Sequence, residues 1–80
     1  MRIKVLYFAE ISKILNRKEE NLDFAGRKVS ELLQQIRKLH PEITDILDRS
    51  MVAVNLEYQP KDYTLKDKDV VAIIPPVEGG

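Results

Sequence analysis

The first eight residues alternate between two kinds of position. Ile3, Val5 and Tyr7 lie on one side of the alternation, and this period of two is typical of a β-strand. The other side is charged at its start but apolar at its end, where Leu6 and Phe8 stand. The segment therefore predicts a first strand with one buried face, and with a second face that needs cover only at its far end.

The strongest periodic pattern in the chain predicts one amphipathic helix. Its apolar positions recur at spacings of three and four and form a single stripe: Val29, Leu32, Leu33, Ile36 and Leu39. Pro41 prevents the helix from continuing beyond His40. At the other end Lys28 occupies the N-cap position, where its side chain cannot accept a backbone hydrogen bond as Ser or Asp would.

Weaker patterns account for the rest of the chain. They predict helical turns over residues 11–15 and 43–47, strands over 21–24 and 51–55, and a short strand at Glu57 and Tyr58. Residues 70–74 are a continuous apolar run, which is typical of a central strand buried on both faces. This order predicts an α+β domain, with one main helix on a mixed sheet of four or five strands. If the first and last strands are adjacent and parallel, Phe8 and Ile74 lie at the same edge.

Composition restricts what such a domain does. The 80 residues carry 13 Lys and Arg against 13 Asp and Glu, so no net charge attracts nucleic acid or an anionic membrane. The absence of cysteine from the sequence removes disulfides, thiolate metal sites and a cysteine nucleophile, and it fits a reducing compartment. Since the first segment has no long apolar stretch, we expect one soluble intracellular domain without a membrane span.

The last residues differ in character from the body: Ile74-Pro75-Pro76-Val77-Glu78-Gly79-Gly80. Two prolines exclude strand hydrogen bonds and favour an extended backbone that leaves the sheet. The two glycines have no side chain, so they form the thinnest segment that a polypeptide offers. We therefore divide the chain into a body at residues 1–74 and an extended arm at residues 75–80.

Several segments resemble the small subunits of molybdopterin synthase, a branch of the ubiquitin-like sulfur carriers. The matching residues are Ile3-Lys4-Val5-Leu6-Tyr7-Phe8-Ala9, Val54-Asn55, Leu65 with Asp67-Lys68-Asp69-Val70, and Pro75-Pro76-Val77-Glu78-Gly79-Gly80. The resemblance covers essentially the whole chain, and the terminal motif is its most specific part. Lys68 departs from the family pattern, in which many members have glycine at this turn.

The resemblance implies a β-grasp fold and a carrier function. The carboxylate of Gly80 would be adenylated with ATP by an E1-like adenylyltransferase, converted to a thiocarboxylate with sulfur from a sulfur donor protein, and used to make the molybdopterin dithiolene. The large subunit of molybdopterin synthase would supply the catalytic groups in a cytoplasmic heterotetramer. The chain alone would be a co-substrate without a bound cofactor. Activation is needed because a carboxylate is anionic at neutral pH and a poor electrophile.

Two other functions stay open. A sister carrier, for thiamine thiazole synthesis or tRNA thiolation, would use the same ending with a different acceptor. A ubiquitin-fold module would bind partners, or be joined to lysines, without handling sulfur.

An apolar patch beside the arm is the predicted partner-binding surface. We expect Phe8, Ile74 and Val77 to form it, with Tyr58 alongside if its strand lies on that edge. The alternative is that Phe8, Ile74 and Tyr58 are ordinary core residues. The arm, through Pro75, Pro76, Val77, Glu78 and Gly79, would carry Gly80 into the partner's active site.

Two polar features are interpreted as structural. His40 is the only histidine, and it is expected to interact with the negative end of the helix rather than to catalyse a reaction. Glu19 and Glu20 are expected to be solvated surface charge, so no metal site is proposed.

Overall fold

A computed structural model describes residues 1–76, and the predictions for residues 77–80 lie outside that range. The elements in chain order are β1 (Arg2–Tyr7), α1 (Ala9–Leu15), β2 (Glu19–Asp23), α2 (Val29–Leu39), a 3-10 turn (Pro41–Ile43), α3 (Thr44–Asp48), β3 (Met51–Val54), β4 (Glu57–Tyr58) and β5 (Val70–Ile74). This order confirms the predicted α+β class. Among these helices none is long and apolar enough to span a bilayer.

The strands form one mixed sheet in the order β2-β1-β5-β3-β4. β1 and β5 lie side by side at its centre and run parallel, with Tyr7 paired to Ile73. The other neighbouring strands are antiparallel. The predicted pairing of the first and last strands is therefore confirmed, and both strands end at the same edge of the sheet.

The hydrophobic core lies between α2 and one face of this sheet. The inward positions of the two central strands are fully buried: Ile3, Val5, Val71 and Ile73. The stripe of α2 meets them with side chains that are at most 2% exposed: Val29, Leu32, Leu33 and Ile36. Removing this apolar surface from water is the main force that holds the helix on the sheet.

Glu31 closes the start of α2 in place of a capping side chain at Lys28. Its Oε1 accepts hydrogen bonds from the backbone N–H groups of Lys28, at 3.0 Å, and Arg27, at 3.1 Å. These two bonds hold the pKa of the Glu31 carboxyl below its usual range. The arrangement is the glutamate half of a capping box, and it allows α2 to begin at Val29 although Lys28 is a poor N-cap residue.

Two predicted element details are wrong. β2 covers Glu19–Asp23 rather than residues 21–24, because its pairing with β1 extends to Glu19 opposite Leu6. The apolar stripe predicted for this helix includes Leu39, but the structure leaves Leu39 49% exposed. At about 100° per residue it falls at the margin of the stripe, on the last residue of α2.

The prediction that β5 is buried on both faces is also wrong. Val71 and Ile73 are fully buried, whereas Val70, Ala72 and Ile74 are only partly buried. The reason is that α2 covers one face of the sheet, and the described residues leave the opposite face accessible at this strand. The apolar residues on that second face define the candidate site.

Candidate functional site

A row of four residues crosses the sheet on the face opposite α2. Ala72 is paired with Leu6 on one side and with Ala53 on the other, and Ala53 is paired with Tyr58. Directly paired residues share a face of the sheet, so this row points away from the core. The two small alanines stand in the middle between larger side chains, and they make the centre of this face a depression.

An open groove of about 570 Å³ lies over this row. Its lining residues are all uncharged: Leu6, Phe8, Ala53, Asn55, Leu56, Tyr58, Val70, Ala72 and Ile74. Apolar surface of this kind, when it stays accessible on a small protein, is typical of a site that binds another protein. We call it the sheet groove.

Three of the four residues of the predicted docking patch line the sheet groove. Phe8 is 46% exposed and Tyr58 is 62% exposed, so neither is an ordinary core residue. Ile74 is half-buried at the end of β5. Val77, the fourth member of the predicted patch, lies outside the described residues. The structure thus places Phe8, Tyr58 and Ile74 on one surface, while their role in binding a partner stays a prediction.

The start of the predicted arm lies at the edge of the same groove. Ile74 ends β5 and lines the groove, and the two prolines that follow lie outside any strand. Pro75 is buried and Pro76 is exposed, and the division into a body and an arm stays a prediction. The predicted site residues Val77, Glu78, Gly79 and Gly80 lie beyond the described range.

A hydrogen-bonded clamp fixes the far end of the groove. The Asn55 side chain donates to Asp69 Oδ1 at 2.9 Å and accepts from the Val70 N–H at 3.0 Å. Asp69 is only 7% exposed, and its Oδ2 accepts from the Lys66 N–H at 2.8 Å. The sequence analysis assigns no role to this clamp. The signal that could have indicated it is an asparagine directly after β3 and an aspartate directly before β5.

A second polar cluster lies on the opposite side of the sheet, around Glu20. Its Oε1 accepts a hydrogen bond from the Tyr7 hydroxyl at 2.7 Å and lies 2.9 Å from His40 Nε2, while Arg17 donates to Oε2 at 2.6 Å. The Tyr7 and His40 rings meet edge to face with centroids 6.2 Å apart. The expectation that Glu20 is solvated surface charge is wrong, because the β1–β2 pairing brings it against the buried Tyr7.

The ionisation of this cluster follows from its contacts. Burial opposes the charge on Glu20, but the hydrogen bonds from His40 and Tyr7 outweigh that effect and hold the pKa of its carboxyl below the usual range. Burial and the neighbouring Glu20 carboxylate raise the pKa of the Tyr7 phenol. The cluster therefore holds a carboxylate at Glu20 and a neutral phenol at Tyr7 at neutral pH, and with His40 it ties β1, β2 and the end of α2 together.

No group of three or more His, Asp and Glu side chains in residues 1–76 is arranged to hold an ion. The arrangement is suited to binding another molecule in an uncharged groove and to positioning the segment that follows Ile74 at the groove's edge.

The mixed five-stranded sheet with α2 across one face is the β-grasp architecture of ubiquitin-like proteins. Comparison of sequences defines the group further, since the ThiS family matches residues 5–80. The chain belongs to the ThiS family.

Known relatives match over their whole length. The molybdopterin synthase sulfur carrier subunit of Chlamydomonas reinhardtii is 41% identical, with 100% of both chains covered. The subunit of the same name from Mycobacterium tuberculosis is 33% identical, with 100% of this chain and 99% of that protein covered.

Two solved structures extend the comparison. One is a complex of subunits 1 and 2 of the molybdopterin-converting factor from Helicobacter pylori, in which the matched chain is 25% identical, with a TM-score of 0.72 and full coverage of both chains. The other is small archaeal modifier protein 1 of Haloferax volcanii, with a TM-score of 0.85, 20% identity, and coverage of 95% of this chain and 98% of that one. At that identity the second match supports the fold alone.

Proposed function

We propose that this protein is the sulfur-carrier subunit of a molybdopterin synthase and works through its carboxyl-terminal arm. The observation that carries the proposal is the 41% identity to a sulfur carrier subunit of that name over the full length of both chains. The sheet groove ends at Ile74, directly before the arm. This supports a protein that binds a partner through the groove and places its carboxyl terminus in the partner's active site.

The proposed chemistry takes place on the terminal carboxylate of Gly80. An E1-like adenylyltransferase joins that carboxylate to ATP, which releases pyrophosphate and leaves an acyl adenylate. A sulfur atom at the oxidation level of sulfide, supplied by a donor protein, then displaces AMP and gives a thiocarboxylate. The thiocarboxylate sulfur attacks a carbon of the pterin precursor and displaces an oxygen leaving group there. Hydrolysis of the acyl–sulfur bond then leaves the sulfur on the pterin and restores the carboxylate for another cycle, and two such transfers, from two loaded chains, supply the two sulfur atoms of one dithiolene.

The reach of the arm determines where each partner must sit. Four residues follow Pro76, and fully extended they span at most about 14 Å. An active site that receives Gly80 therefore lies within that distance of Pro76, which follows the groove edge at Ile74 by two residues. The large synthase subunit and the activating enzyme both need Gly80, so they bind the same edge in turn and not together.

The groove accounts for how the large subunit holds the chain. Its uncharged lining, with Phe8 nearly half exposed and Tyr58 more than half exposed, matches the apolar centre that protein interfaces use. The residues of this chain bind the large subunit and position the arm, while the large subunit supplies the acid, the base and the pterin site. We place this association in the cytoplasm, as a heterotetramer.

The experiment that tests the function is intact mass spectrometry of the chain after incubation with ATP, the activating enzyme and a sulfur donor. We expect a gain equal to the replacement of one oxygen by sulfur, located at Gly80. The matched control lacks Gly80 and retains the fold by circular dichroism, and it should gain nothing. An isopeptide adduct on a lysine, or no change in mass, would overturn the carrier function in favour of a modifier or binding module.

A further inference from the structure

Leu56 is the most exposed large apolar residue described in the chain. It stands at the apex of the turn between β3 and β4, and 99% of its surface is accessible to solvent. Folding therefore gains nothing from burying this side chain. It nevertheless lines the sheet groove, at the end beside Val70 and opposite the end where Ile74 lies.

The backbone conformation at Leu56 lowers the stability of the fold. Asn55 has φ +49° and Leu56 has φ +74°, so both central residues of this two-residue hairpin turn are left-handed. Such turns strongly prefer Asn-Gly, because glycine has no Cβ to clash in that conformation. Asn55 fits the first position, while a branched leucine at the second is unfavourable. Residues held in left-handed conformations at a cost to stability cluster at binding sites.

The clamp at Asn55 prevents the turn from relaxing. In addition to its side-chain bonds to Asp69 and Val70, the Asn55 N–H donates to the Val70 carbonyl at 2.8 Å. Three hydrogen bonds therefore fix the residue directly before Leu56 on the end of β5. A side chain presented on a rigid support loses little further freedom when it binds, and this favours affinity.

The positions along β5 indicate the size of the partner. Asn55 lies beside Val70 at one end of the groove, and Ile74 lies at the other. Four residues of strand separate these ends by about 13 Å. A partner that contacts Leu56 and also receives the arm beyond Ile74 must cover this whole length, which requires a folded protein surface rather than a small ligand.

Resting on the proposed function, we infer that Leu56 is an anchor residue that the β3–β4 turn inserts into an apolar pocket of the large synthase subunit. A solved relative favours this partner, since the Helicobacter pylori protein was solved as a complex of subunits 1 and 2. Burial of the Leu56 side chain in the complex then compensates for the free-energy cost of its left-handed backbone.

The test compares Leu56→Gly, Leu56→Asn and Leu56→Met in the full chain. Glycine and asparagine suit the left-handed position but remove the apolar side chain, whereas methionine keeps it. We expect L56G to raise Tm by on the order of 4–8 °C and to weaken binding to the large subunit by about tenfold or more, measured by calorimetry. L56N should weaken binding similarly, and L56M should bind within about threefold of the wild type. The matched control is Leu39→Ala, which removes an exposed leucine outside the groove and should leave the affinity unchanged.

Each other outcome overturns a definite part of the account. If L56G is more stable but binds the large subunit as the wild type does, Leu56 is no anchor, while the proposed function stands. If L56G loses stability, the argument from the backbone is wrong. If only binding to the activating enzyme weakens, or if sedimentation shows dimers of this chain that L56G disrupts, the residue serves a different partner. If the wild type itself does not bind the large subunit, the proposed function fails together with the inference.

Discussion

Replacing Glu20 by alanine removes an acceptor that three side chains share. The Tyr7 hydroxyl, 2.7 Å from Glu20 Oε1, belongs to a residue that is only 2% exposed. Within the described residues every buried side-chain N and O atom has a hydrogen-bond partner, and this substitution leaves the phenol without its acceptor. An unsatisfied buried group costs about 1–3 kcal/mol, and the lost contacts of His40 and Arg17 with the Glu20 carboxylate add roughly 1 kcal/mol.

The expected loss is therefore about 2–4 kcal/mol in the free energy of unfolding. This is a large share of the roughly 4–12 kcal/mol that a chain of 80 residues has in total. The assay is urea denaturation of Glu20→Ala, Tyr7→Phe and the double variant, followed by circular dichroism. Tyr7→Phe removes the hydroxyl that E20A would leave without an acceptor. E20A should therefore lower the free energy of unfolding by about 1–2 kcal/mol less in the Y7F background than in the wild type. A loss below about 0.5 kcal/mol for E20A, or strictly additive effects, would refute the interpretation of this cluster.

Other variants and conditions test separate parts of the account. Phe8→Ala should weaken the complex with the large subunit more, in kcal/mol, than it lowers the unfolding free energy, because nearly half of Phe8 is still exposed before docking; equal losses in calorimetry and urea denaturation would count against a docking role. The contribution of Glu20 to stability should be complete above about pH 5 and be lost as the pH drops through its lowered pKa, since the depressed pKa stabilises the fold only while the carboxylate is ionised. Urea midpoints measured from pH 7 to 3 report this, and a midpoint that rises on acidification contradicts it. His40→Gln should leave the rate of sulfur transfer unchanged although it lowers Tm, and a large loss of transfer would reopen a catalytic role. Adding one residue after Gly80 should abolish sulfur transfer without changing the circular dichroism spectrum; retained activity would refute the terminal mechanism.

The elements with a strong local pattern could be predicted from the sequence. The stripe of α2 and the alternation of β1 are set by residues close together in the chain, and their bounds came out within a residue or two. The parallel pairing of β1 with β5 followed from element order and the apolar character of both strands. These features depend on periodicity and connection rules, which a single sequence carries.

What could not be predicted depends on contacts between distant segments. Glu20 looks like surface charge until the β1–β2 register brings it to Tyr7 and His40, 13 and 20 residues away. The apolar run of β5 does not reveal that only one of its faces is covered. Leu56 carries a weak signal in hindsight, because a leucine follows an asparagine where a tight hairpin turn favours glycine.

The central claim, that the chain donates sulfur from its end while it is docked by the sheet groove, is tested most directly in one single-turnover experiment. The chain is loaded as thiocarboxylate on Gly80, separated from its activating enzyme, and mixed with the large subunit and the pterin precursor, and dithiolene is measured against carrier consumed. We predict that sulfur lost from the chain appears in the product with matching stoichiometry and that the chain returns as carboxylate. Dithiolene formation that proceeds equally well with unloaded chain, or loaded chain that keeps its sulfur in the assembled complex, would contradict the account.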